Sequence, residues 1–204
     1  KDAPWKEPKQ HPIAMLNVGQ VKQALPILTT LYHQDPSDVD TLYRLGIAYS
    51  ELGQYQQATE LLEKAVELAP DHVHALVGLG FAEAARGNLL IAEEWLRKSL
   101  HLEPINRWAL RNLAGTLMKQ RRFEDSLGMI RECLAVAPDD IAMMIAYGDC
   151  LTELGRSDES EAHYRDAIKT GGPDSLVDLA KERLTKKSEK VFRSTAGVRP
   201  DVVQ

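Results

Sequence analysis

Residues 39–72 read VDTLYRLGIAYSELGQYQQATELLEKAVELAPDH. Leu42, Leu45, Tyr49 and Leu52 are spaced three, four and three apart, which puts them on one helical face. Asp38, with Ser37 as the alternative, stands where a side-chain oxygen caps the exposed N–H groups of that helix. Gly53 follows it, where a helix end needs a residue tolerant of left-handed backbone. A second apolar face then runs through Ala58, Leu61, Leu62, Ala65 and Val66. Pro70 ends it, because the residue before a proline is driven out of helical geometry. The stretch predicts a helical hairpin.

The hairpin recurs. Pro36, Pro70, Pro104 and Pro138 stand 34 residues apart, and Gly46, Gly80 and Gly148, like Ala24, Ala58 and Ala92, keep the same step. A fixed period of this length marks a stack of supersecondary units. The small residues pair within each unit as Gly46 with Ala58, Gly80 with Ala92, Ala114 with Ser126 and Gly148 with Ser160, so two backbones can approach closely. Leu45, Leu79, Leu113 and Tyr147 are bulky and are expected to fill the core. The units run over residues 39–72, 73–106, 107–140 and 141–172, with an incomplete first unit from about residue 5 to 38. The opening helix of that first unit contains Pro8 and Pro12 and is expected to be short, starting near Pro12. Pro26 lies one turn into the next helix, where a slight bend is expected. After Gly171-Gly172-Pro173, residues 173–192 carry Leu176, Leu179 and Leu184 and predict a C-terminal capping helix; residues 193–204 read as a tail or linker.

Composition agrees with this reading. Apolar residues make up 44% and charged residues 27%, enough apolar content to fold and too polar for a membrane protein. The nearly apolar stretch from Ala75 to Ala82 is far short of the roughly 18 residues a spanning helix needs. The charged, proline-rich start lacks the apolar core of a signal peptide, and the absence of an initiator Met suggests a processed chain or part of a larger protein. Cys133 and Cys150 fall on apolar helical faces and are expected to be free buried thiols.

The pattern resembles the tetratricopeptide repeat family, which asks for bulky residues at the fourth and seventh positions and a small one at the eighth. It continues with a large residue at the eleventh, Ala at the twentieth, a large one at the twenty-fourth, Ala at the twenty-seventh and Pro at the thirty-second. The unit from Val39 supplies Leu42, Leu45, Gly46, Tyr49, Ala58, Leu62, Ala65 and Pro70 in that order. The unit from Val73 matches at Leu76, Leu79, Gly80, Ala92, Leu96 and Pro104 and departs at Glu83. The unit from Arg107 matches at Leu110, Leu113, Ala114, Leu117, Ile130 and Pro138; the last matches at Met144, Tyr147, Gly148, Leu151, Tyr164 and Ala167, with its proline slipped to Pro173. The resemblance implies an all-α, right-handed superhelical array (an α-solenoid) of antiparallel helix hairpins closed by the capping helix.

It also implies a concave face lined by the first helix of each hairpin. The residues this places there include Tyr43, Arg44 and Ile47, then His74, Val77 and Phe81, then Trp108, Arg111, Asn112 and Met118, and finally Ile145. An apolar patch rimmed by polar groups marks a binding site, and Trp, Tyr and Arg most often carry binding energy. The expected function is a non-catalytic scaffold or adaptor that binds a peptide or protein segment in this groove. The alternatives are the substrate-recruiting region of a larger enzyme, or a scaffold that self-associates through the groove or the end helix. The clamp by which some family members hold the C-terminal carboxylate of heat-shock chaperones would need Lys, Asn and Arg at set positions, and only Asn112 matches.

Neither catalysis, a metal nor a cofactor is expected. His72 and His74, with His101 in the same repeat, lack a third convergent ligand. His72 fits the turn before a helix. Gly78-Leu79-Gly80 lacks the third glycine of a nucleotide fingerprint and any preceding strand; one glycine suits packing and the other the groove. Asp139-Asp140 follows Pro138, where helix capping explains it. Between Lys181 and Arg199 seven basic residues face only Glu182 and Glu189, while the whole chain carries −5. This run reads as the solvated face of an end helix, since no aromatics are interleaved to stack on nucleic-acid bases.

Overall fold

The computed structural model describes residues 21–196, with side chains through residue 186. The short helix expected near Pro12, Gly19 and the chain after Ala196 lie outside that range. Among the described residues there are ten helices and no strand. In chain order they are α1 (Val21–Gln34), α2 (Val39–Glu51), α3 (Tyr55–Leu68), α4 (Val73–Arg86), α5 (Leu89–Leu102), α6 (Arg107–Lys119), α7 (Phe123–Val136), α8 (Ile141–Glu153), α9 (Ser157–Thr170) and α10 (Asp174–Ala196). The described residues fall into two compact units, divided within α6 between Thr116 and Leu117.

The helices start and stop for reasons visible in the chain. Asp38 caps α2 by accepting from Thr41 N–H at 3.1 Å, and Asp140 caps α8 by accepting from Met143 N–H at 3.2 Å. His72 Nδ1 does the same for Ala75 N–H at 3.0 Å, and Asn106 Oδ1 for Ala109 N–H at 3.0 Å. These four caps keep the 34-residue step. The second helices use no side-chain cap. Each begins directly from a turn in which an N–H reaches back five residues: Gln54 to Tyr49, Asn88 to Glu83, Arg122 to Leu117 and Arg156 to Leu151, at 2.8–2.9 Å. That closure requires left-handed backbone just before the donor. Gly53, Gly87 and Gly155 supply it with φ between 73° and 92°, and Arg121 supplies it with φ 61°.

Apolar clusters hold unit one together. Leu42, Ala58, Leu62, Ala65, Leu76, Leu79 and Ala82 form one across α2, α3 and α4, with Trp95 of α5 packed against it. Val21, Ala24, Leu28, Leu45 and Ala48 form another between α1 and α2. Helix α1 continues through Pro26 to Gln34. The small residues act as the spacing implied, but the object they admit is a side chain as well as a backbone. A Cβ on Gly46 would lie 2.6 Å from Cγ of Leu62 and 3.3 Å from the Ala58 carbonyl oxygen. A Cβ on Gly80 would lie 2.5 Å from Cγ of Leu96 and 3.2 Å from the Ala92 carbonyl oxygen. Glu83, where the repeat pattern breaks, is nonetheless only 3% exposed. Arg86 Nη1 at 2.8 Å and Asn88 Nδ2 at 2.5 Å donate to its two carboxylate oxygens, so the buried charge is paired.

In unit two, Ile141, Ile145, Tyr164, Ala167 and Ala180 form the core that joins α8, α9 and α10, with Leu176, Leu179 and Leu184 packed against it. Helix α10 runs to Ala196, past residue 192, so residues 193–196 are helical rather than tail. Gly171 and Gly172 both take positive φ before it, and a Cβ on Gly172 would run into Cδ1 of Ile141. Tyr147 departs from the expected core position: it is half-buried, its ring stacked on His163 at 4.0 Å with the Arg131 guanidinium over it. Cys133 and Cys150 are free and buried, and the Cys150 thiol donates to the Ser126 hydroxyl at 3.6 Å.

Candidate functional site

The first helices of unit one converge on a groove of about 820 Å³. Tyr43, Ile47, Ser50 and Glu51 reach it from α2, His74, Val77, Gly78 and Phe81 from α4, and Trp108, Arg111 and Asn112 from α6. Along each helix they fall three and four residues from one another, with Ser50/Glu51, Val77/Gly78 and Arg111/Asn112 as adjacent pairs, which keeps them on one face. Gly78 thins the floor: a Cβ there would meet Cδ1 of Ile47 at 2.9 Å and the Leu62 methyls beyond it. Phe81 and Trp108 are 41% and 53% exposed, far more than the aliphatic residues of the core. Phe81 is braced edge-on by Tyr55 at 6.3 Å, and the Arg107 guanidinium sits over the Trp108 ring at 4.9 Å. At one side Tyr43 lies against both His72 and His74, at 5.3 and 6.1 Å between ring centres. Burial pushes the Tyr43 hydroxyl above its ordinary value, with the Arg44 charge working in the opposite direction.

Eight of the eleven residues assigned to the groove from the sequence therefore line it together. The other three do not. Arg44 turns back along its own helix to pair with Asp40 at 2.8 Å. Met118 lines a pocket of unit two. Ile145 is a correction to the groove assignment: it is buried at 3% exposure in the unit-two core, because α10 packs over the face on which it lies. Ser50 and Glu51, at the twelfth and thirteenth positions that the family pattern also turns to the concave face, line the groove as well. Ser50 is buried, and its hydroxyl oxygen has no hydrogen-bond partner.

Unit two holds a separate pocket of about 710 Å³ with a different character. Its wall is organised around Asp149 on α8. Asp149 Oδ1 accepts from the Tyr164 hydroxyl of α9 and from Arg183 Nε of α10, both at 2.8 Å, and Oδ2 accepts from Arg183 Nη2 at 3.4 Å. The Asp149 carboxylate raises the Arg183 guanidinium above its ordinary value, and burial raises the Tyr164 phenol. Three helices meet at one carboxylate. Among the described residues no group of three or more His, Cys, Asp or Glu side chains is placed to hold a metal ion, and no helix is long and apolar enough to cross a membrane.

Comparison with known proteins places this geometry in a family context. Residues 16–80 and 51–97 match one tetratricopeptide repeat profile, and residues 111–175 match a second. Among solved structures, MamA AMB-1 superposes with a TM-score of 0.69 at 28% identity, covering 80% of this chain and 96% of that one. MamA from residue 41 to the end from Desulfovibrio magneticus RS-1 gives 0.70 at 20% identity, covering 80% and 92%. A crystal structure of MamA gives 0.68 at 21%, covering 78% and 94%. The last two likenesses bear on the fold alone. Comparison with curated proteins gives no sequence match.

Proposed function

The chain belongs to the tetratricopeptide repeat family, and from that premise we propose that this protein–protein interaction scaffold holds a partner segment in the unit-one groove, with Phe81 and Trp108 as its anchors. The observation that carries the reading is the exposure of these two aromatics on a concave, partly apolar surface, each braced by a neighbouring side chain. Large apolar groups held open to water in a groove cost solvation free energy that a partner's burial returns. Arg111 and Asn112 at the rim offer donors to a peptide backbone or carboxylate.

The test is a pull-down that compares wild type with a Phe81→Asp, Trp108→Ala double variant, after circular dichroism has confirmed that the variant is helical and melts cooperatively. A partner captured by wild type and lost by the folded variant supports the groove. Equal capture by both rules it out and moves attention to the other surfaces of the chain.

A further inference from the structure

The twelfth position of the repeat is filled by Ser50 in α2 and, three units on, by Thr152 in α8. Thr152 satisfies its hydroxyl within its own helix, donating to the Gly148 carbonyl at 2.9 Å. Ser50 makes no such bond to the equivalent Gly46 carbonyl. It is 4% exposed and its hydroxyl oxygen has no hydrogen-bond partner, although it stands in the wall of the unit-one groove. A buried hydroxyl left unpaired is destabilising, and a bound polar group removes that cost.

Beside it the groove presents a charge in the same condition. Among the described residues no hydrogen bond or ion pair engages the exposed carboxylate of Glu51. The arginines nearby are already engaged: Arg44 pairs with Asp40 at 2.8 Å, and Arg111, on α6 beyond α4, has an interaction of its own. Phe81 completes the corner. Its edge contact at 6.3 Å is with Tyr55, the first residue of α3, which follows the short turn after Glu51 at the end of α2. Carboxylate, hydroxyl and an exposed ring therefore stand together at one end of the groove.

We infer that this corner is a subsite for a lysine or arginine side chain, so that the segment held by the groove is a basic one with apolar flanks. The inference rests on the reading of the groove as a partner's seat and specifies which partner it takes. The cationic head pairs with Glu51 and donates to the Ser50 hydroxyl oxygen, while the alkyl stem lies against the Phe81 ring. Ile47, Val77 and Trp108 accept the apolar neighbours. Residues 21–116 carry twelve acidic side chains against eight basic ones, a balance of −4, which draws a basic segment to unit one. The same balance opposes nucleic acid and anionic lipid.

The experiment measures fluorescence anisotropy of a labelled peptide, Gly-Ser-Leu-Leu-Lys-Leu-Leu-Ser-Gly, and of counterparts with Gln or Glu in place of the lysine. Wild type is expected to bind the lysine peptide saturably and the glutamine peptide about ten-fold more weakly, the loss of one charge-assisted pair. The glutamate peptide should bind more weakly still. Glu51→Gln should bind the lysine and glutamine peptides alike, and Glu51→Lys should invert the order. Ser50→Ala should weaken the lysine peptide while melting at or above the wild-type temperature, because it removes an unpaired buried hydroxyl. The Phe81→Ala, Trp108→Ala variant should lose all three peptides. The subsite is overturned if wild type does not bind or does not prefer the lysine peptide, if Glu51→Lys leaves the order unchanged, or if Ser50→Ala binds undiminished. Any of these leaves the groove standing while its double variant still loses a captured partner. Equal binding of all three peptides by wild type and the double variant would overturn the groove and the subsite together.

Discussion

Tyr164 lies directly over Gly148: a Cβ on Gly148 would fall 2.5 Å from Cε1 and 2.8 Å from Cζ of the Tyr164 ring. Gly46 with Leu62 and Gly80 with Leu96 show the same relation, a glycine on the first helix facing a large side chain sixteen residues later. Gly148→Ala should therefore destabilise unit two by about 1–3 kcal/mol, the usual cost of overpacking. Urea unfolding followed by circular dichroism measures it. A midpoint unchanged from wild type would mean that the tyrosine moves aside without loss.

Leu79 is fully buried in the cluster that joins α2, α3 and α4. Leu79→Ala should cost about 2–5 kcal/mol, combining lost burial with the cavity left behind. Because α4 also carries Val77, Gly78 and Phe81 to the groove, the same variant should weaken partner capture near its melting temperature and restore it on cooling.

Asp149→Ala removes the acceptor shared by Tyr164 and Arg183. A cost of about 1.5–3 kcal/mol is expected for hydrogen bonds to a charged group. The loss should appear first in α10, as faster amide exchange over residues 174–186 with the helices of unit one unaffected. Uniform acceleration throughout unit two would show instead that Asp149 supports the whole core.

The imidazole of His163, stacked on Tyr147, is held below its ordinary value by burial, with Asp166 and Glu159 opposing. A base depressed in the folded state takes its proton in the unfolded state first, so its contribution to stability is present at neutral pH. It is lost as the pH falls from about 6.5, the ordinary histidine value, through the lower folded one. Urea midpoints measured at neutral and mildly acidic pH should fall less in His163→Phe than in wild type. Equal slopes would assign the acid sensitivity to other groups.

The fold was legible because the constraints that make it are local and repeat. Asp38, Asp140 and Gly53 act as their positions imply, and Gly46 and Gly80 sit at tight crossings. Much of the groove was legible too, since three helices of known face place Tyr43, Phe81 and Trp108 along one concavity. Residues governed by the chain's end were harder. Ile145 occupies the same repeat position as Tyr43 and Val77, but α10 covers it, and a periodic pattern carries no information about what caps the last unit. Glu83 reads as a break in the apolar pattern, yet Arg86 and Asn88, three and five residues on, make its burial possible. Arg121 needed a comparison across turns: its position in the repeat is that of Gly53, Gly87 and Gly155.

The four side-chain caps stand at the start of the first helices alone, one per 34 residues, and their acceptors differ in chemistry but not in the bond they make. Each junction between hairpins is thus interchangeable with the next. Excising residues 39–72 would bring Asp38 to the start of α4 in the place His72 now holds, with no new turn to be invented. Such a shortened chain should remain helical and melt cooperatively, as circular dichroism would report. Length in this protein is then a quantity that gene duplication or deletion can change in whole steps, leaving the grammar of every surviving joint intact.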